Sequence, residues 1–227
     1  MPRPALALPL AALLAAGCAE PDAPAAAPPA PEPAAEATVI PAAETAEVAA
    51  NRALSEGDRA PDFALPAASG ETVRLSRLLT EGPVVLTFYR GAWCPYCNTQ
   101  LRDYQENLDR FRAAGASLVA VSPQTPDSSA ATEGENALAF PVLSDVGNRV
   151  SQEYGLVFRV DDATRERYAA VGVDLARYNG TDGWELPVPA TYVIGVDGVV
   201  EAAFVEADYS LRASVRDVLR ALAALPR

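Results

Sequence analysis

From about residue 58 onward, apolar positions along the chain alternate between two rhythms. Phe63-Ala64-Leu65 and Thr72-Val73-Arg74-Leu75 predict two short strands about a Ser69-Gly70 turn. Behind Pro83, the run Val84-Val85-Leu86-Thr87-Phe88-Tyr89 is rich in β-branched and aromatic residues and predicts a central strand buried on both faces. From about Asn98 the period changes. Leu101, Tyr104, Leu108 and Phe111 recur at spacings of three and four with charges between them, predicting one amphipathic helix that Gly115 ends. Ser117–Ser122 is the next buried strand, so the unit is a parallel strand–helix–strand with a right-handed crossover.

Beyond it, Pro123–Glu135 reads as loop or weak helix, Pro141–Asp145 opens another element, and Val150–Tyr154 forms a helical turn. Residues 159–186 carry charges with Gly172, Gly180 and Gly183, the pattern of an insertion holding one or two short helices. A hairpin follows, Ala190–Ile194 and Val199–Val205 about a Val196-Asp197-Gly198 turn. Leu211, Val215, Val218, Leu219 and Leu222 give a last amphipathic helix. The succession predicts an α/β domain over residues 51–227, with a central mixed sheet flanked by helices and a small helical insertion.

The first fifty residues follow neither rhythm. Arg3 precedes a short apolar run, Ala5–Leu14, too short to span a bilayer and matching the core of an export signal. Its end, Leu14-Ala15-Ala16-Gly17-Cys18, resembles a bacterial lipobox, which makes residues 1–17 a lipoprotein-type signal peptide and Cys18 the lipidated residue. Residues 18–50, rich in Ala, Pro and Glu, offer too little apolar surface to offset chain entropy and read as a disordered tether. The expectation is an exported domain, lipid-anchored to a bacterial membrane and facing the periplasm. Ala19 after Cys18 points to the outer membrane.

Charge and composition narrow the chemistry. The chain of 227 residues carries a net charge of −12, and residues 19–50 alone supply six carboxylates and no base. An acidic domain without a basic stripe is no nucleic-acid binder. Histidine is absent and all 18 basic residues are arginine, so His-dependent nucleophiles, His-ligated metals, Schiff-base lysines and the P-loop lysine are all excluded. Neither metal nor organic cofactor is expected. A nucleophile here must be activated by backbone dipoles, arginine or burial, and a thiol suits those means.

Of three cysteines, Cys94 and Cys97 stand in Trp93-Cys94-Pro95-Tyr96-Cys97, directly after the buried strand and at the start of the helix. A helix N-terminus presents unpaired N–H groups and partial positive charge, which stabilise a thiolate. Three-residue spacing lets the second sulfur resolve a bond formed on the first. Pro95 favours entry into the first helical turn. Arg90 follows the strand directly, and Trp93 and Tyr96 flank the sulfurs. Two thiols without histidine fall short of a zinc site.

Residues 58–210 resemble the AhpC/TSA (peroxiredoxin-like) branch of the thioredoxin superfamily. The carrying segments are Gly57–Phe63, Phe88–Cys97, Leu143-Ser144-Asp145 with Tyr154-Gly155, and Val188–Ile194 with Asp197-Gly198. The resemblance implies a thioredoxin-like fold and a thiol oxidoreductase. In the peroxiredoxin register Cys97 takes the peroxidatic position, Cys94 that of the usual threonine, Arg90 that of the usual proline and Pro189 that of an arginine. In the thioredoxin register Cys94 is the exposed nucleophile, Cys97 the resolving thiol and Pro189 a cis-proline beside them.

Three functions stay open at this point. The first is reduction of hydroperoxides through a sulfenic acid resolved by the neighbouring cysteine. The second is thioredoxin- or TlpA-like exchange on protein disulfides, and the third a non-enzymatic redox-sensing or metal-handling module. Either enzyme needs a dithiol reductant. The leader makes its own prediction: a palmitate analogue should label the chain in cells, and the label should vanish in Cys18→Ala. Labelling that survives the substitution rejects the lipid anchor.

Overall fold

The computed structural model describes residues 45–226. The signal peptide, Cys18 and the tether up to Glu44 lie outside the described residues. In chain order, α1 (Ala46–Arg52) precedes a small antiparallel pair, β1 (Ala64–Pro66) and β2 (Thr72–Arg74), which runs into α2 (Leu75–Leu79). Then come β3 (Val84–Phe88), α3 (Pro95–Glu106), α4 (Leu108–Ala113) and β4 (Ser117–Ser122). Next are α5 (Pro126–Glu135), β5 (Val142–Ser144), α6 (Arg149–Glu153) and β6 (Val157–Arg159). The chain closes with α7 (Asp162–Ala170), α8 (Leu175–Asn179), β7 (Glu185–Pro187), β8 (Ala190–Ile194), β9 (Val200–Val205) and α9 (Val215–Ala224).

A five-stranded sheet in the order β5-β4-β3-β8-β9 organises these elements. β3, β4 and β5 run parallel, whereas β8 pairs antiparallel with β3, and β9 antiparallel with β8. The mixed sheet expected from the alternation is therefore present, with β3 at its centre and wholly buried. Because side chains alternate across a strand, Val84, Leu86 and Phe88 enter one core layer and Val85 and Tyr89 the other. The first layer packs under α1, α2 and α6 with Tyr154 and Tyr192. The second holds Leu101, Tyr104, Phe111, Val218 and Leu222 of α3, α4 and α9, and with them both cysteines.

Several boundaries differ from the sequence reading. The Thr45 hydroxyl accepts the Val48 N–H and caps α1, and Ala49 is fully buried. The end of the Ala/Pro/Glu-rich stretch thus belongs to the domain, because small alanine side chains fit a helix tightly against the core. The strand expected over Thr72–Leu75 stops at Arg74, and Leu75 begins a helix. Pro126–Glu135 is a full helix, capped by the Thr125 hydroxyl and opened by a proline. The one helix expected as far as Gly115 is two. Asn107 leaves helical geometry and its side chain donates to the Asp103 carbonyl at 2.9 Å, so the side chain competes with the helical ladder.

The insertion lies where the glycines and charges placed it. β6 and β7 pair antiparallel and close off the excursion that holds α7 and α8. It has a small core of its own, Val160, Leu175 and Leu186, against which Trp93, Tyr168 and Trp184 pack.

Asp145 anchors the turn after β5. It is buried, and its carboxylate accepts the N–H groups of Val150 and Ser151 at 3.0 and 2.8 Å and the Ser151 hydroxyl at 2.8 Å. Removing the carboxylate strands two buried N–H groups, at a cost of about 1–3 kcal/mol each. Asp145→Ala should therefore lower the unfolding free energy by several kcal/mol in urea denaturation. An unchanged midpoint would show that water replaces the carboxylate.

Candidate active site

The site begins where β3 ends. Tyr89 stays in register through its N–H to the Val121 carbonyl, and the chain then turns through Arg90, Gly91, Ala92 and Trp93. Gly91 has φ +148°, and a Cβ there would run into the Trp93 indole, so the turn requires glycine. Ala92 is held on both sides: its N–H donates to Gln124 Oε1 at 2.9 Å, and its carbonyl accepts from Asn98 Nδ2 at 2.6 Å. That clamp delivers Cys94 to the N-cap of α3 and Pro95 to its first turn.

Both sulfurs are inside the core. Cys94 is 1% exposed and Cys97 fully buried, and the two are free thiols. The expectation of an exposed Cys94 is corrected here. Tyr209 of the β9–α9 connection stands edge-on to Tyr96 with ring centroids 5.7 Å apart, and Arg212 reaches in from the same connection. This connection contributes to covering the pair.

One charge is favoured over two. The Cys97 thiol beside Cys94 is the largest influence holding Cys94 down to about 6, against its burial, with the Cys97 N–H and the guanidinium groups of Arg90 and Arg212 helping. Cys97 moves the other way, pushed well up by burial first and then by Cys94. On this balance Cys94 is the more readily ionised of the two thiols and Cys97 the less. Burial also pushes the Tyr89 hydroxyl up to about 12, so it remains a neutral neighbour.

Of the residues singled out in the sequence, Arg90, Trp93, Pro95, Tyr96 and the two cysteines converge. Arg90 is 4% exposed, with its guanidinium 4.9 Å from the Trp93 ring, 5.8 Å from Tyr168 and 4.3 Å from Tyr209. One of its terminal nitrogens donates to the Tyr168 hydroxyl. Tyr96 is 46% exposed and borders the mouth. Pro189 does not meet its expectation, since no peptide bond among the described residues is cis. It lines a small cavity with Arg90, Tyr168 and Tyr209 instead.

Arg212, Tyr209 and Gln124 escaped the sequence reading. Arg212 Nη2 lies 3.5 Å from Cys97 Sγ, although 115 positions separate them. No local pattern marks it, as it stands in a short polar loop between two regular elements. A buried polar network fixes that loop: Tyr104 OH donates to the Ala213 carbonyl at 3.1 Å, and Gln100 Nε2 donates to Tyr104 OH and Thr191 Oγ1 at 3.1 and 3.3 Å. Thr191 in turn meets Thr87 at 3.0 Å, joining α3, β3 and β8. Among the described residues, no three His, Cys, Asp or Glu side chains come together as metal ligands.

Known proteins share this arrangement of elements. A Mycobacterium tuberculosis protein that carries the name peroxiredoxin is 37% identical over 102 residues, 45% of this chain and 64% of that protein. The chloroplastic peroxiredoxin Q of Populus jackii is 31% identical over 151 residues, 66% of this chain and 60% of the relative. The chain thus spans less than two thirds of the length of these curated relatives. The crystal structure of the peroxidoxin BcpB from Mycobacterium tuberculosis superposes with a TM-score of 0.60 at 26% identity, covering 77% of this chain and 99% of that one. Peroxiredoxin Q of Xanthomonas campestris, at 20% identity and a TM-score of 0.56, shares the fold over 71% of this chain and 90% of its own. The architecture is the thioredoxin-like fold of peroxiredoxin structures. The AhpC/TSA family model matches residues 56–203, the stretch that holds the sheet, the cysteine pair and the insertion, and the chain belongs to the AhpC/TSA family.

Proposed function

We propose that this chain is a thiol-dependent peroxidase that reduces small hydroperoxides on the Cys94–Cys97 pair. The observation that carries the reading is the burial of both sulfurs, at 1% and 0% exposure, under the influence of the Arg90 and Arg212 guanidinium groups. A peroxide needs far less room to reach such a site than a disulfide held in a folded polypeptide, which must approach along the S–S axis. Family membership supports the same reading.

In this mechanism the Cys94 thiolate attacks the terminal oxygen of the hydroperoxide. The O–O bond breaks, Cys94 becomes a sulfenic acid, and the departing alkoxide takes a proton to leave as the alcohol. The Cys97 thiol then condenses with the sulfenic acid, releasing water and forming the disulfide. An external dithiol returns both sulfurs to the reduced state by exchange. Arg90 and Arg212 favour negative charge on the attacking sulfur and on the departing oxygen. This order reverses the peroxiredoxin register, in which Cys97 would attack. The reason lies in burial: the deeper sulfur bears the larger desolvation penalty as a thiolate.

Exchange with protein disulfides draws support from the same order of ionisation, since Cys94 leads in the thioredoxin register too. It requires the Tyr209–Arg212 connection to move away from the pair.

Two measurements test the proposal. In Cys97→Ser treated with hydrogen peroxide, a dimedone-type probe should trap sulfenic acid on Cys94 faster than on free cysteine. Trapping on Cys97 in Cys94→Ser instead would reverse the order. Consumption of peroxide no faster than by free cysteine in wild type would reject the peroxidase, and mixed disulfides accumulating on Cys94 would favour exchange. Ultraviolet thiolate absorbance of the reduced protein should rise with pH through about 6 and be lost below it. In Cys97→Ala, which removes the neighbouring thiol donor, that step should move toward the ordinary thiol value of about 8.5.

A further inference from the structure

Arg90 is an unusual residue to find at this depth. It is 4% exposed, yet among the described residues no carboxylate pairs with it, and its side-chain hydrogen bond goes to the neutral Tyr168 hydroxyl. Its Nε is buried without an acceptor. Three aromatic rings face the guanidinium, and they can soften the loss of hydration without supplying a counter-charge. The Cys94 thiolate answers one positive charge, but Arg212 stands beside the same pair of sulfurs. Arg90 has no carboxylate beside it, and Arg212, part-buried, adds a second guanidinium near the same sulfurs, so positive charge is in surplus here.

That surplus opens onto space. A cavity of about 180 Å³ is bounded by Arg90, Phe158, Tyr168, Pro189 and Tyr209, with Arg167 and Asp161 as its other charged residues. The lining is therefore net positive by one charge in a chain of net charge −12. Asp161 forms no ion pair with Arg90: its two carboxylate oxygens face the Thr164 N–H and hydroxyl, each at 2.8 Å, and the guanidinium acting on it is that of Arg167. Apolar rings make up most of the remaining wall. The cavity is smaller than the roughly 300–1,000 Å³ of pockets that hold drug-sized ligands.

Resting on the peroxidase reading, we infer that Arg90 and this cavity form a carboxylate-binding subsite that selects small anionic organic hydroperoxides as substrates. The substrate carboxylate pairs with Arg90, its short apolar body lies against Tyr168, Pro189 and Tyr209, and its peroxide group reaches Cys94. The reaction balances as for any hydroperoxide: sulfur gains the terminal oxygen, and the hydroxy acid leaves with its carboxylate unchanged.

The test has a binding arm and a turnover arm. In the full chain carrying Trp184→Phe, Trp93 is the sole remaining tryptophan of two and lies 4.9 Å from Arg90. Butanoate should change Trp93 fluorescence saturably at constant ionic strength, and neutral butanamide should not. In the turnover arm, kcat/KM is measured for a carboxylate-bearing hydroperoxide and for its neutral methyl ester. The acid should be favoured in wild type, and Arg90→Gln should reduce the acid-to-ester ratio roughly ten- to a hundredfold. The ratio cancels any effect of Arg90 on the sulfur itself, which both substrates share. Equal responses to butanoate and butanamide would overturn the subsite without any need for the variant to fold. Turnover of both substrates without discrimination would overturn it too, leaving the peroxidase intact. Butanoate binding with no turnover of either hydroperoxide would sink the peroxidase reading and leave the carboxylate subsite standing.

Discussion

A pair of thiols enclosed in a hydrophobic layer can hold one negative charge at tolerable cost and not two, and the rest of the site is arranged around that limit. Cys94 sits at the first turn of α3, where the Cys97 thiol and N–H lie next to its sulfur. Cys97 lies one turn deeper with apolar residues about it and remains protonated. The opposite shifts of two chemically identical side chains at one helix N-terminus follow from burial, which weighs most on Cys97, and from the hydrogen bonds that Cys97 offers to Cys94. Two guanidinium groups, of Arg90 and Arg212, add favourable charge to the Cys94 thiolate.

These groups come from distant parts of the chain, and each has a structural reason to be there. Arg90 leaves the end of β3 on a turn that glycine permits and that Gln124 and Asn98 clamp at Ala92. Arg212 arrives on the β9–α9 connection, held through the Tyr104 hydroxyl and the Ala213 carbonyl. The insertion supplies Tyr168, which joins Trp93 at 5.1 Å between ring centroids and bonds to Arg90. What looked in the sequence like an appendage on the fold is one wall of the site.

The strands and the last helix were legible because burial imposes a period on the residues that form them. β3, β4, β8, β9 and α9 lie where alternation or helical spacing put them. Misread boundaries share a different cause. At Thr45 and Asn107 the outcome turned on a cap or on one side chain competing with the backbone, and neither leaves a period to read. In the site, Cys94, Cys97 and Arg90 were visible because they stand within a few residues of each other after a buried strand. Pro189 was given a role beside the sulfurs and instead lines the cavity next to Arg90.

Sequence alone determined that a Cys-x-x-Cys pair would open a helix behind a central strand, and that no histidine or lysine could assist it. Those conclusions need only chain neighbours and composition. Tertiary structure decided that both sulfurs are covered, that burial weighs more heavily on the Cys97 thiolate, and that Arg212, Tyr209 and Tyr168 stand around them. Desolvation and charge act through space over a few ångströms, and Arg212 is 115 residues from the sulfur it touches. A one-dimensional pattern carries no trace of such a contact until the sheet brings its ends together.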